Sequence, residues 1–179
     1  VTDCTITGMI ITDNTIDNSG IGISFGQNAQ VTDLVIERNH LSNNNAGVSL
    51  ICGNHINVAI TDCVFEASAW EDIDLGCWGN VPTLENVAIT KCEFYGGSSV
   101  PWASVYIEAN FTGGDIRINN NKFSPIDQYG VLKTGSYVDA KCNWWGDASG
   151  PTHAGNLRRC HFIRGLSGRS LSPGMGSNF

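Results

Sequence analysis

Two long turns carry the residues whose chemistry is worth locating. The segments "EASAWED" and "YGGSSVPWAS" place Trp70 and Trp102 each three residues before an apolar pair, Ile73/Leu75 and Val105/Ile107. The two Trp are expected to stack on one edge, Glu71, Asp72, Asp74, Tyr106 and Glu108 are expected as outward positions nearby, and Trp78 follows the next bend. Paired aromatic rings cover the apolar faces of sugars, and neighbouring carboxylates bond the hydroxyls. Two carboxylates ~5–9 Å apart can also hydrolyse a glycosidic bond. Acids combined with turn carbonyls can instead hold Ca²⁺. The same residues have a plainer use, since long turns need apolar anchors and a Trp in a turn often folds back on its own loop.

These turns sit between elements that repeat. Asn14, Asn39, Cys63, Cys92, Asn121 and Asn143 form a column with spacings of 25, 24, 29, 29 and 22 residues. Apolar residues recur five before it (Met9, Leu34, Val58, Val87, Ile116, Val138), three before it (Ile11, Ile36, Ile60, Ile89, Ile118, Ala140) and two after it (Ile16, Leu41, Phe65, Phe94, Phe123, Trp145). A short unit repeated at this period is the pattern of a stacked solenoid. The alternation within each unit is that of strands, and no stretch shows helical periodicity over helix length. Parallel strands joined without helices require each strand to pair with its equivalent one turn later, ~4.8 Å away. The alternation changes phase at the column, so the chain must bend there. An inward Asn at such a bend can bond the residues above and below it. The expected architecture is all-β, a parallel solenoid of about six coils over 1–151, followed by a basic tail, cap or disordered extension over 152–179.

The repeats resemble the right-handed parallel β-helix, or pectin-lyase-like, superfamily over about residues 6–151. The run Asn143-Trp144-Trp145-Gly146-Asp147-Ala148-Ser149-Gly150-Pro151 is similar to the "NWWG…GP" motif that closes secreted bacterial and archaeal β-helix domains. The resemblance implies a single-stranded right-handed β-helix and an extracellular, cell-surface or periplasmic location. It brings no catalytic set with it. The chain has no Asp-Asp pair followed by Gly-His-Gly as in polygalacturonases, and no Asp-Pro-His as in alginate epimerases. No Arg stands where a pectate-lyase-like base would be expected.

Charge narrows the partners. All seventeen acids precede residue 152, against six Lys and Arg there, whereas the tail holds Arg158, Arg159, Arg164 and Arg169 and no acid. An acidic rod repels phosphates, so nucleic acid is not an expected partner. No apolar run is long enough to span a membrane. The chain opens inside a strand-like pattern, which suggests a piece of a longer protein and makes edge pairing at the N-terminal coil an option. Oligomeric state is not readable.

Seven cysteines are present. Cys63 and Cys92 share the inward column and are expected as buried thiols. Cys52 and Cys77, each two residues after an apolar pair, leave a bridge and free thiols equally open. Cys4, Cys142 and Cys160 have no evident mates. No Cys/His spacing fits zinc, and His40, His55, His153 and His161 are scattered through turns and tail. The expectation is therefore no cofactor, with Ca²⁺ the remaining option. Ice binding is disfavoured because Glu37, Asn119 and Lys141 interrupt the Thr12, Thr61, Thr90 column. The reading reached is a non-catalytic module of a secreted or surface protein, with a flank for polysaccharide or another surface protein. The alternative is a fragment of a polysaccharide lyase or glycoside hydrolase.

Overall fold

The computed structural model describes residues 1–77, 81–96, 103–107, 111–124, 129–133 and 138–146. Trp78, Trp102, Glu108 and the segment 147–179, including the basic tail, lie outside the described residues.

The described chain is a parallel β-solenoid without a helix. Its strands follow one another in a repeating order. The first round is β1 (Thr5–Thr7), β2 (Ile10–Thr12), β3 (Thr15–Asp17) and β4 (Ile21–Phe25). Next come β5 (Gln30–Glu37), β6 (His40–Ser42) and β7 (Ala46–Ile51), then β8 (Asn54–Thr61), β9 (Val64–Glu66) and β10 (Ile73–Gly76). They are followed by β11 (Thr83–Thr90), β12 (Glu93–Tyr95) and β13 (Ala103–Ile107), then β14 (Thr112–Asn119), β15 (Lys122–Phe123) and β16 (Tyr129–Lys133). Every pairing is parallel and joins a strand to its equivalent one round later. They build three sheets: β1-β5-β8-β11-β14 with β2 also on β5, β4-β7-β10-β13-β16, and β3-β6-β9-β12-β15. Bridges from Arg117 to Asp139 and from Lys122 to Trp144 carry the stacking further.

The columns read from the sequence are the core. Leu34, Val58, Val87 and Ile116 stack in register, as do Ile36, Ile60, Ile89 and Ile118, and all are buried. Phe65, Phe94, Phe123 and Trp145 form a continuous stack of rings with centroids 5.1, 4.6 and 4.7 Å apart.

The bend lies one residue earlier than the sequence phase suggests. Asp13, Arg38, Asp62, Lys91, Asn120 and Cys142, each just before the column residue, all have φ between 51° and 59°. One left-handed residue turns the strand direction and lets two successive inward positions fall on different sheets. The turn takes backbone groups out of the sheets, and the column asparagines satisfy them. Asn39 Oδ1 accepts from Asn14 N and Nδ2 at 3.0 and 2.9 Å, while Asn39 Nδ2 donates to Ile11 O at 2.8 Å. Asn121 repeats the pattern, accepting from Cys92 N and donating to Ile89 O, both at 2.9 Å.

A second left-handed column does not show in the apolar alternation. Asp33, Asn57, Asn86 and Asp115 have φ of 52–57° inside the long strands, and Gly8 occupies the equivalent place. It shifts the alternation again and creates a further inward column of Ile6, Val31, His55 and Leu84. His55 is therefore a core residue of β8, fully buried, and not a turn residue as the sequence suggests.

Cys52 and Cys77 form a disulfide with Cα atoms 4.7 Å apart. Parallel side chains at strand spacing are too far apart to bridge, but Cys52 is itself left-handed at φ 55°, which turns its Cβ out of parallel. The bond closes a loop with a sequence separation of 25. Replacing both cysteines by Ala should cost about 3 kcal/mol. Urea denaturation with and without the bond measures this, and equal midpoints would show that the bridge adds nothing.

Candidate functional site

The third round builds the site. The turn from β9 to β10 is pinned to the round below by backbone bonds from Ala69 N to Asn44 O and from Trp70 N to Asn45 O, at 2.8 and 2.7 Å. Glu71 O and Asp72 O then accept from Gly47 N and Val48 N, so β10 enters the sheet in register. Pinned in this way, Trp70 stands out from the rod with 48% of its surface exposed.

The carboxylates are distributed differently from the sequence expectation. Glu71 and Asp72, read as outward, are buried at 7% and 1% exposure. Asp72 falls one before the inward Ile73, in line with Gly47 below it and Ser104 above it. Gly47 is small for a reason. A Cβ there would lie 2.5 Å from Asp72 O and 2.8 Å from the Phe65 ring. The same holds at Gly130, where a Cβ would meet the Trp145 ring at 2.7 Å. Asp72 thus places a carboxyl in a column otherwise held by Gly and Ser, at the corner where β10 meets the core.

The Asp72 carboxyl and the hydroxyls of Ser68 and Ser104 are buried together at this corner, near enough to interact but without full hydrogen-bond geometry. Burial pushes the Asp72 carboxyl up to about 7, opposed only in part by the nearby Ser68 and Ser104 hydroxyls. A carboxyl that titrates near neutrality keeps, below pH 7, the proton a general acid needs. At 1% exposure, however, it cannot reach a substrate.

Asp74 and Tyr106 do face outward together. They are register partners on β10 and β13, in line with Ser49 on β7, and both are partly exposed. The structure therefore brings Asp74 and Tyr106 together on neighbouring strands, with Trp70 on the turn entering β10. The expected stacking of Trp70 on Trp102, and the contributions of Trp78 and Glu108, fall outside the described residues.

Two features escape a reading of the sequence. His55 is buried with neither ring nitrogen hydrogen-bonded, and burial pulls it down to about 4. The available signal is the Gly8, Asp33, Asn57, Asn86, Asp115 column, whose turn-forming residue types mark the extra change of phase. The second feature is a shallow groove on the long sheet, of about 360 Å³, with Val35, Ala59 and Ala88 beside Asp33, Asn57, Asn86 and Arg117. Its polar edge is already joined along the rod. Asn57 Nδ2 donates to Asp33, Asn86 Nδ2 to Asn57, and Arg117 to Asn86.

Polar and charged side chains elsewhere pair between rounds, as in Arg38–Asp13, His40–Glu66 and Lys122–Glu93 at 2.9, 3.0 and 2.9 Å. Among the described residues no group of three or more His, Cys, Asp or Glu side chains is placed to hold a metal ion. Compared with known protein families, curated proteins and solved structures, the chain matches none of them.

Proposed function

We propose that this chain is a non-catalytic module of a secreted or cell-surface protein that offers one rigid flank to a polysaccharide or to another surface protein. On this reading the solenoid is a right-handed β-helix of the pectin-lyase-like kind with about six coils, closed by the "NWWG" run. The supporting observation is Trp70. A large aromatic ring is held out from the rod by a turn fixed at four consecutive backbone contacts, and that turn leads into β10, where Asp74 pairs in register with Tyr106 of β13. Such a ring covers a sugar face without losing much freedom on binding, because its backbone is already in place. The fully buried Asp72 contributes no hydroxyl contact, which leaves Asp74 as the described carboxylate of the flank.

The double substitution Trp70→Ala with Trp102→Ala tests this on a glycan array. Loss of one stacking ring costs about 1 kcal/mol beyond its area, so binding should weaken at least tenfold. Unchanged binding to every glycan that the unmodified chain retains would remove the flank from consideration.

A further inference from the structure

The column that holds the bends together is interrupted by sulfur at two successive rounds. Cys63 and Cys92 are free, completely buried and stacked where the other rounds carry Asn. Their sulfurs are placed alike. Cys63 Sγ donates to Ile36 O and Thr61 O at 3.6 and 3.4 Å, and Cys92 Sγ donates to Ile60 O and Thr90 O at 3.6 and 3.5 Å. Ile36 pairs with Ile60, and Thr61 with Thr90. The two sulfurs are therefore related by one strand step, ~4.8 Å. That separation is more than twice a disulfide bond. It matches two metal–thiolate bonds of ~2.3 Å set end to end.

We propose that Cys63 and Cys92 form a two-coordinate site for a soft d¹⁰ cation held in line between the two sulfurs. Thiolate is the ligand such ions select, and hard oxygen-seeking ions need more donors than the two sulfurs supply. Binding breaks two S–H bonds and forms two S–metal bonds, releasing two protons, with no change in oxidation state. A divalent ion leaves the centre neutral, which the dry core favours over the single negative charge that a monovalent ion would leave. Asn39 Nδ2 lies 3.9 Å from Cys63 Sγ and supplies a donor to the bound thiolate.

Mercuric chloride is the probe, with silver nitrate as the monovalent arm, added to the full chain without reductant so that Cys52–Cys77 stays intact. Native mass spectrometry should show one tightly held Hg(II) replacing two protons, with a rise in melting temperature and weaker uptake of Ag(I). Cys63→Ala and Cys92→Ala should each weaken this uptake at least tenfold and release one proton instead of two, while Cys4→Ala should leave it unchanged. X-ray absorption on the unmodified chain, which needs no variant to fold, should find two sulfurs at one short distance. A single sulfur per ion, or uptake indifferent to Cys63→Ala and Cys92→Ala, overturns the proposal.

Discussion

Asp72→Asn should stabilise the chain by about 4 kcal/mol at pH 8 and leave it nearly unchanged at pH 4. The carboxyl rises from an ordinary 3.8 to about 7 in the fold, and each tenfold change in proton affinity corresponds to about 1.4 kcal/mol. The folded value lies above the unfolded one. The favourable contribution of the protonated acid is thus complete below pH 4 and is lost as pH climbs through 7. Asn keeps the shape of the neutral acid and cannot ionise, so it escapes that loss. His55 works in the opposite sense. Its folded value falls from 6.5 to about 4, so its contribution of about 3 kcal/mol is present above 6.5 and is lost as pH falls through 4. Between pH 4 and 6.5 the two slopes nearly cancel in the unmodified chain. With Asp72→Asn the His55 slope stands alone, and stability should rise steadily over that interval. The surface acids Asp13 and Asp17 and the half-buried Glu93, all lowered by hydrogen-bonding neighbours, add the same acid-side slope to both chains and drop out of the difference. Urea denaturation at pH 4, 6 and 8 reads the effect. Parallel pH profiles for the two proteins would show that Asp72 is not held neutral.

Phe94→Ala should cost about 5 kcal/mol, the upper end for removal of a buried ring. Phe94 is fully buried at the centre of the aromatic column, stacked on Phe65 at 5.1 Å and on Phe123 at 4.6 Å. Removing it deprives both neighbours of a face. Neither can move to fill the gap, since each is fixed to its own round by strand pairing. In a solenoid each round is stabilised only by its neighbours, so the defect also divides the rod into two weakly coupled stacks. The denaturation slope should therefore fall together with the midpoint. A loss below about 2 kcal/mol with an unchanged slope would mean that the column collapses around the hole.

The fold was legible because a solenoid writes each contact as a repeat. Leu34 over Val58 over Val87 is a register that one strand spacing imposes, and it appears in the chain as periodicity. The Phe column and the Asn bends were readable for the same reason. What periodicity does not record is the backbone conformation between the apolar positions. A left-handed Asn57 is marked in sequence only by its turn-forming type, outside the apolar alternation, yet it reverses the facing of the strand and sends His55 inward. Cys52 is the same case: one positive φ decides that it bridges to Cys77 while Cys63 and Cys92 stay apart.

The candidate site divides along this line. The sequence by itself determined that Trp70 belongs to a long turn and that Asp74 and Tyr106 share an outward column, because both follow from counting back and forward along a strand. Only the tertiary structure decided that Glu71 and Asp72 are inside. Alternation puts a residue next to an inward Ile on the outer face, and at a corner between two sheets that rule fails. There the chain is closed in from two directions, so a carboxyl that looks exposed in the sequence is shut away from water and holds its proton to higher pH than a free carboxyl.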